Sequence, residues 1–326
     1  MSEGSLRALA DSLAGLVGRV RVQTHVALAP FTTLKVGGPA DLFVEPRSSR
    51  EIVSAVRLAA SHGVAVTILG GGSNVLIADA GIRGLVLRPR GGEIRREGAS
   101  DVRADAAVTI NGLVRWLISH SLAGLEAWAG TPGTVGGGVY GNAHWGGRLL
   151  SEHLLSVRLV SRAGMEIEAS VEDMGFGYDR SRLQHTGEIL LSALFTSRPG
   201  DAVAMREEAR RSLAYRKRTQ PLASPSAGCI FQNPAADVPL PDVPRSAGAL
   251  VDRAGLKGAT EGAALVSPTH ANFIVNTGTA RAADIRALIE RCRDAVRGRF
   301  GVELADEIVY LGFDPEGGGV RVHSGD

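Results

Sequence analysis

Apolar positions along the chain change their period several times, and each change marks an element. RSSREIVSAVRLAASHG (47–63) places Ile52, Val53, Val56 and Leu58–Ala59 on one stripe at helical spacing. Ser48 or Ser49 can cap this helix, Glu51 sits in its first turn where the dipole favours an anion, and Gly63 closes it. VAVTIL (64–69) is uninterrupted and predicts a buried strand, followed by a glycine loop, VLIAD and the strand GLVLRP. A second region starts near Gly91. VRADAAV predicts a strand, Ile110 to Ser121 a helix with Leu113, Trp116 and Leu117 on one face, and EILLSALF (188–195) a strand. LLSVRLVSRAGMEIEAS alternates on both sides of an Arg-Ala-Gly turn, the pattern of a hairpin.

The first 20 residues predict a short amphipathic helix, and SRPGDAVAM reads as a boundary. Beyond it come a charged helix, DAVAMREEARRSLAYRKRTQ, and a stretch kept irregular by Pro221, Pro225, Pro234, Pro239, Pro241 and Pro244. AALVSPTHANFIVN predicts strands, ARAADIRALIERCRDAVRGRF an amphipathic helix containing Cys292, and VELADEIVYLG a closing strand. The expected division is an extension (1–20), two regions (21–90 and 91–200) and a C-terminal domain (201–326).

Composition narrows the function classes. At 326 residues, 44% hydrophobic and 21% charged, the chain can fill two or three domain cores. A net charge of +2, from 36 basic and 34 acidic side chains spread along the sequence, argues against nucleic acid as a partner. No apolar run approaches the roughly 18 residues of a membrane span, and the N-terminus lacks the charged start and apolar centre of a secretory signal. A cytoplasmic protein, without membrane insertion and monomeric, is expected. The two cysteines, Cys229 and Cys292, form no disulfide framework, and no metal-ligand spacing is present.

Two glycine-rich stretches carry the first chemistry. In ILGGGSNVLIAD (68–79), Gly70, Gly71 and Gly72 can turn successive backbone N–H groups toward one anion, with Ser73 and Asn74 as side-chain donors. The alternative is a tight hairpin turn. The order helix–strand–loop, with no GK[ST], matches neither a Rossmann loop nor a Walker loop. In TPGTVGGGVYGNAHWGG (131–147), seven glycines cost backbone entropy that is justified if a flat or phosphorylated group approaches the main chain. Two such loops in separate regions suggest a dinucleotide spread across two subdomains.

TTLKVGGPADLFVEP, ILGGGSNVLIAD, GLEAWAGTPGTVGGGVYGNA and PSAGCIFQNP, in this order, resemble the UDP-N-acetylenolpyruvoylglucosamine reductase family, and AGALVDRAGLKGAT and VSPTHANFIVN continue the likeness. It covers roughly residues 21 to 312. The resemblance implies an α+β protein: a two-subdomain FAD-binding unit of the vanillyl-alcohol-oxidase/PCMH type plus a C-terminal α+β substrate domain. The short gap after the residue-188 strand resembles the branch without an extra tyrosine-bearing loop. The implied reaction is NADPH-dependent reduction, through FAD, of the small-molecule substrate UDP-N-acetylglucosamine-enolpyruvate. Gly70, Gly71, Gly72, Ser73, Asn74, Thr131, Pro132, Gly133, Gly136, Gly137, Gly138 and Asn142 are the implied cofactor residues.

The same resemblance assigns the reacting groups. Cys229 occupies the place of the family's proton-donating serine, and its thiol is a better acid than an alcohol. Glu307 matches the glutamate before the last strand. Tyr178, Lys217 and Asn233 lie where the family contacts substrate, while His270 and Asn272 read as structural polar groups. The family pattern tyrosine-arginine-any-serine departs here to YDRS, so Arg180, with Arg182 as alternative, is expected to polarise the substrate carboxylate. His144 stands where the family has a small residue, and is expected beside the cofactor. Another FAD-dependent oxidase or dehydrogenase of the same fold, or a non-catalytic flavin-binding relative, are the alternatives.

Overall fold

In the computed structural model, residues 3–235, 238 and 245–313 are described. The first lobe is a four-stranded sheet in the order Val22–Ala27, Pro39–Val44, Ile82–Leu87, Val66–Ile68, antiparallel at the first pair and parallel at the others. Its central strands are buried on both faces, as parallel strands require. Leu42, Val44, Leu85 and Leu87 face the helices Glu3–Val17 and Ser49–Ser61, while Ala40, Phe43 and Val86 face Leu28, Leu69 and Ile77. Ser48 is the residue that caps the second helix, its side chain accepting from Glu51 N. Leu9, Leu13 and Val17 bring the helix Glu3–Val17 into this core.

The second lobe is a five-stranded antiparallel sheet, ordered Glu166–Ser170, Leu154–Val160, Ile189–Phe195, Asp101–Asp105, Ile94–Glu97. The helix Ile110–Ser119 packs on it through Leu113 and Leu117, and the helix Ala202–Thr219 joins the same core through Met205 and Ala209. The third core gathers the helices Ala247–Arg253 and Ala282–Phe300 around the strands Ala264–Val266 and Ile274–Asn276.

Packing refines the expected elements. The glycine run contains a helix, Val135–Tyr140, capped by Thr134. Glycine is a poor helix former, but a Cβ at Gly138 would stand 3.0–3.1 Å from Leu150 and Ile110, so close approach decides the residue. Val75–Ile77 does not hairpin onto Val66–Ile68. It pairs in parallel with Val309–Leu311, all that forms of the closing strand, and this strand thereby joins the C-terminal domain to the first lobe. The strand near 102 ends at Asp105, and the helix from Ile110 ends at Ser119. The hairpin 154–170 and the strand from Ile189 form as expected. Pro239, Pro241 and Pro244 lie outside the described residues. No helix among the described residues is long and apolar enough to cross a membrane.

Candidate active site

The two glycine loops meet. A Cβ at Gly71 would lie 2.8 Å from the Cα of Gly133, one at Gly70 2.8 Å from Thr134 Oγ1, and one at Gly133 2.7 Å from Ser73 Oγ. Gly133 also has φ of +101°, which side-chain-bearing residues rarely adopt. Among the described residues, none of the backbone N–H groups of residues 70–74 donates to a protein acceptor. Five consecutive free donors on a turn form a concavity suited to a phosphate.

Two of the polar residues expected to line this cradle are committed elsewhere. Asn74 Nδ2 donates to the carbonyl of Glu307 at 2.9 Å. Asn142 is fully buried; its Nδ2 donates to Gly177 O at 2.8 Å and its Oδ1 accepts from Ser151 N at 2.9 Å. Asn142 has both ends of its amide committed to the chain, whereas Asn74 keeps its Oδ1 free of a protein partner among the described residues. Thr131 Oγ1 accepts from Arg216 Nη2 at 2.7 Å, while Pro132 and Gly137 are exposed.

Beside the cradle, three segments are laced together around Cys229. Ile230 N donates to Asn272 O, Glu307 N to Ile230 O at 2.8 Å, and Gln232 N to Ala305 O at 2.9 Å. Asn272, almost fully buried, clamps the strand after Cys229: its Oδ1 accepts from Phe231 N at 2.9 Å and its Nδ2 donates to Phe231 O at 2.8 Å. This antiparallel bridging brings Cys229 and Glu307 into one corner, near enough for the carboxyl to act on the thiol electrostatically. Cys229 follows Gly228, whose φ is +82°. Burial first, then the nearby Glu307 and Asp179 carboxylates, push the Cys229 thiol well above its usual range. Burial and the Asp179 carboxylate push Glu307 up to about 8, against an opposing effect of His144. Both groups therefore hold their protons at neutral pH.

The turn at 177–180 closes this corner. Gly177 N donates to Arg180 O at 3.0 Å and Arg180 N to Gly177 O at 3.2 Å, so Tyr178 and Asp179 sit at its tip, Asp179 with φ of +51°. The side chain that turns inward is Asp179. Its Oδ1 is 3.0 Å from His144 Nδ1, and one polar atom from each of His144, Asp179 and Glu307 lies within 4.8 Å of the other two. Asp179 and Glu307 also line a cleft of about 190 Å³. Arg180, expected here, is exposed, with its guanidinium lying against Gly177. Arg182 is engaged with both oxygens of Glu188 at 2.9 Å. The displacement follows from the turn: adjacent tip residues point in different directions.

Of the other expected substrate residues, Tyr178 and Asn233 come near one another, the Asn233 backbone acting on the phenol. Asn233 Oδ1 accepts from Ala247 N at 3.0 Å. Lys217 is exposed on the last turn of its helix. The neighbouring Arg216 was missed. Its guanidinium lies 3.5 Å from the centre of the Trp145 ring, and its Nε is buried without a partner. Burial lowers it to about 10, and it stays charged at neutral pH. The signal was in the spacing: Met205, Ala209, Ser212 and Arg216 form one inward face.

Residues 220–311 match the family described as UDP-N-acetylenolpyruvoylglucosamine reductase, C-terminal domain, and residues 40–170, which hold both glycine loops, match an FAD binding domain. A UDP-N-acetylenolpyruvoylglucosamine reductase of Rubrobacter xylanophilus is 40% identical over 290 residues, covering 87% of this chain and 93% of its own. The chain belongs to this reductase family. Another relative, the UDP-N-acetylenolpyruvoylglucosamine reductase 2 of Symbiobacterium thermophilum, is 37% identical over 90% of this chain and 94% of its own. The crystal structure of UDP-N-acetylenolpyruvylglucosamine reductase from Thermus caldophilus superposes with a TM-score of 0.75 at 31% identity, over 89% of this chain and 99% of that one. Its α+β fold with an FAD-binding part is thus the fold of the reductase family. The paired loops fit FAD: the close approach at Gly71 and Gly133 and the five free N–H groups suit its pyrophosphate.

Proposed function

We infer that this protein is an FAD-containing, NADPH-dependent oxidoreductase that reduces UDP-N-acetylglucosamine-enolpyruvate to UDP-N-acetylmuramate in peptidoglycan precursor synthesis. The observation that carries this reading is the bridging of segments 230–232 and 305–307, which gathers Cys229 and Glu307 in one corner, with the two glycine loops meeting at Gly71 and Gly133. The lobes 21–90 and 91–200 hold the cofactor between Gly70–Ser73 and Thr131–Gly138, and the C-terminal domain from 201 receives the substrate.

When bound, FAD supplies hydride transfer between NADPH and the enolpyruvyl β-carbon. Reduction of that carbon gathers negative charge on the α-carbon and the carboxylate. Cys229 Sγ holds the proton that the α-carbon takes. A placed proton donor contributes about 10²–10⁴-fold. Its raised pKa keeps the thiol from ionising, which preserves the proton and protects the sulfur from oxidation. Glu307, neutral up to about pH 8, donates a hydrogen bond to the carboxylate. Arg216 adds a fixed positive charge where the enolate forms, a preorganised contribution that needs no rearrangement. Tyr178, Lys217 and Asn233 meet the sugar nucleotide, Lys217 as a point charge for the diphosphate.

A cytoplasmic monomer fits this role, since NADPH and nucleotide sugars are cytoplasmic. The assignment is tested anaerobically. Purified yellow protein is bleached with NADPH, and UDP-N-acetylglucosamine-enolpyruvate is added. Return of the yellow colour supports the reading; flavin that stays reduced overturns it.

A further inference from the structure

Two departures from the family pattern, 35 positions apart in sequence, touch each other in the fold. Asp179 follows the tyrosine where the pattern has arginine, and His144 stands where a small residue is usual. Their side chains meet at 3.0 Å. We propose that His144, oriented by Asp179, is the cation that receives the substrate carboxylate beside Glu307 and Cys229. This rests on the reductase reading above.

The pair is held from several sides. Asn142 Nδ2 fixes Gly177 O at 2.8 Å, Gln184 Nε2 fixes Asp179 O at 2.9 Å, and Ser181 Oγ donates to Tyr140 O at 2.6 Å. The turn therefore presents Asp179 in one geometry. With Nδ1 of His144 turned to Oδ1, the imidazole's Nε2 is left as the outward donor, and it has no protein partner among the described residues. The His144 side chain is 27% exposed, so this donor is reachable, whereas the Asp179 side chain is 9% exposed. The other carboxylate oxygen of Asp179, Oδ2, is buried and unpartnered. The Tyr178 ring lies 4.5 Å from the imidazole and covers another side.

The charges make the same demand. The groups facing His144 are Asp179, Glu307 and Arg216. Burial works against the imidazolium, and so does Arg216, but the Asp179 carboxylate, hydrogen-bonded to the ring, favours it, and His144 stands raised above its usual value. At pH 6, below this raised value, the imidazolium and the arginine stand against the one carboxylate of Asp179 and leave the corner one positive charge in excess. A substrate carboxylate neutralises it. Asp179 acts as a positioning residue: it sets the tautomer and holds the proton on His144.

The test compares two ligands on the full-length, FAD-loaded protein by calorimetric titration between pH 6 and 9. UDP-N-acetylmuramate carries the carboxylate and UDP-N-acetylglucosamine lacks it. The wild type should prefer the carboxylate ligand at pH 6 and lose that preference as pH rises. His144→Gln should lose about tenfold or more of the preference, the size of one charge-assisted hydrogen bond, and leave UDP-N-acetylglucosamine binding and bleaching by NADPH unchanged. Asp179→Asn should move the loss of preference to lower pH. Should either variant fold poorly, the double variant His144→Ala/Asp179→Arg, which returns a cation to the turn, should restore the preference. A His144→Gln protein that keeps the full preference overturns the proposal. So does a wild-type preference abolished by a chelator and restored by Mn²⁺, which would assign His144, Asp179 and Glu307 to a metal ion. If the wild type binds neither ligand, the reductase reading itself fails.

Discussion

At Gly71 and Gly133 two loops from different lobes meet with less than a methyl group's room between them, and five backbone N–H groups stand free beside the contact. At Cys229, Glu307, His144, Asp179 and Arg216, a few ångströms of chain are filled with titratable side chains whose protonation is set by one another and by burial. In the first region the main chain supplies the donors, and side chains are excluded by sterics. In the second, the backbone only delivers side chains, and their charge decides what they can do. The two regions should therefore fail differently: the cradle to any added atom, whatever its polarity, and the corner only to changes that remove a proton or a charge.

The largest effect is expected in the cradle. Gly71→Ala sets a Cβ 2.8 Å from backbone at Gly133, which cannot rotate away as a side chain could. Flavin content of the purified variant, read from its visible absorbance, should fall below about one-tenth of wild type, the consequence of about 1–3 kcal/mol of backbone strain at the binding surface. Circular dichroism should remain native. A yellow Gly71→Ala protein with full flavin would show that the cradle tolerates side chains, and the contrast would collapse. Next is Cys229→Ala. NADPH bleaching should be unchanged while substrate-driven reoxidation falls by about 10²–10⁴-fold, followed by stopped-flow absorbance. Cys229→Ser, which keeps a proton on a similar atom, should recover most of it. Failure of serine to rescue would mean the thiol's role is not proton transfer.

A smaller effect, and a signed one, belongs to Glu307. In the unfolded chain its carboxyl ionises near 4.5; folded, it holds its proton to about 8. Between these values the folded state binds more protons, so stability falls as pH rises, by at most about 1.4 kcal/mol per pH unit from this group. His144, raised by Asp179, contributes in the same direction. Melting temperatures of wild type should therefore decline from pH 5 toward 8, and Glu307→Gln should flatten the decline. A parallel slope in the variant would remove Glu307 as its cause. Turnover by wild type should be lost as pH rises through about 8 and lose that limb in Glu307→Gln.

The two regions also differ in how far the sequence discloses them. The glycine loops were legible because glycine density is a local property, and what it implies, close approach, is what Gly71 and Gly133 show. That they serve one dinucleotide was read from their recurrence, but their direct contact was not, since a contact across lobes leaves no period in the chain. Nor was the helix Val135–Tyr140, because tertiary packing against Ile110 and Leu150 overrides glycine's poor propensity. Cys229 and Glu307 were found through motif, and the bridging of 230–232 to 305–307 gives the motif its physical sense. Arg216 was readable from helical spacing and was passed over for the more conspicuous Lys217. The direction of the Tyr178–Asp179–Arg180–Ser181 turn could not be read, because a one-residue difference at a turn tip reverses which side chain faces inward.

That last point yields the smallest expected effect and the finest test of the contrast. Arg180 carries the right charge in the right tetrapeptide, and if charge anywhere near the corner sufficed, its loss would be costly. The fold instead leaves it in solvent over Gly177, on the far side of a turn whose inward position belongs to Asp179. A solvated charge contributes little, since water screens it and its long side chain must be ordered to act. Arg180→Ala should therefore change kcat/KM by less than about threefold, within the range of one exposed ion pair. Steady-state NADPH oxidation with UDP-N-acetylglucosamine-enolpyruvate measures it, with Arg216→Met as the contrasting loss of a buried cation. A decrease of tenfold or more in Arg180→Ala, matching that of Arg216→Met, would mean that the turn reorients when substrate binds. The inward and outward positions of the free protein would then no longer define which charge the carboxylate meets.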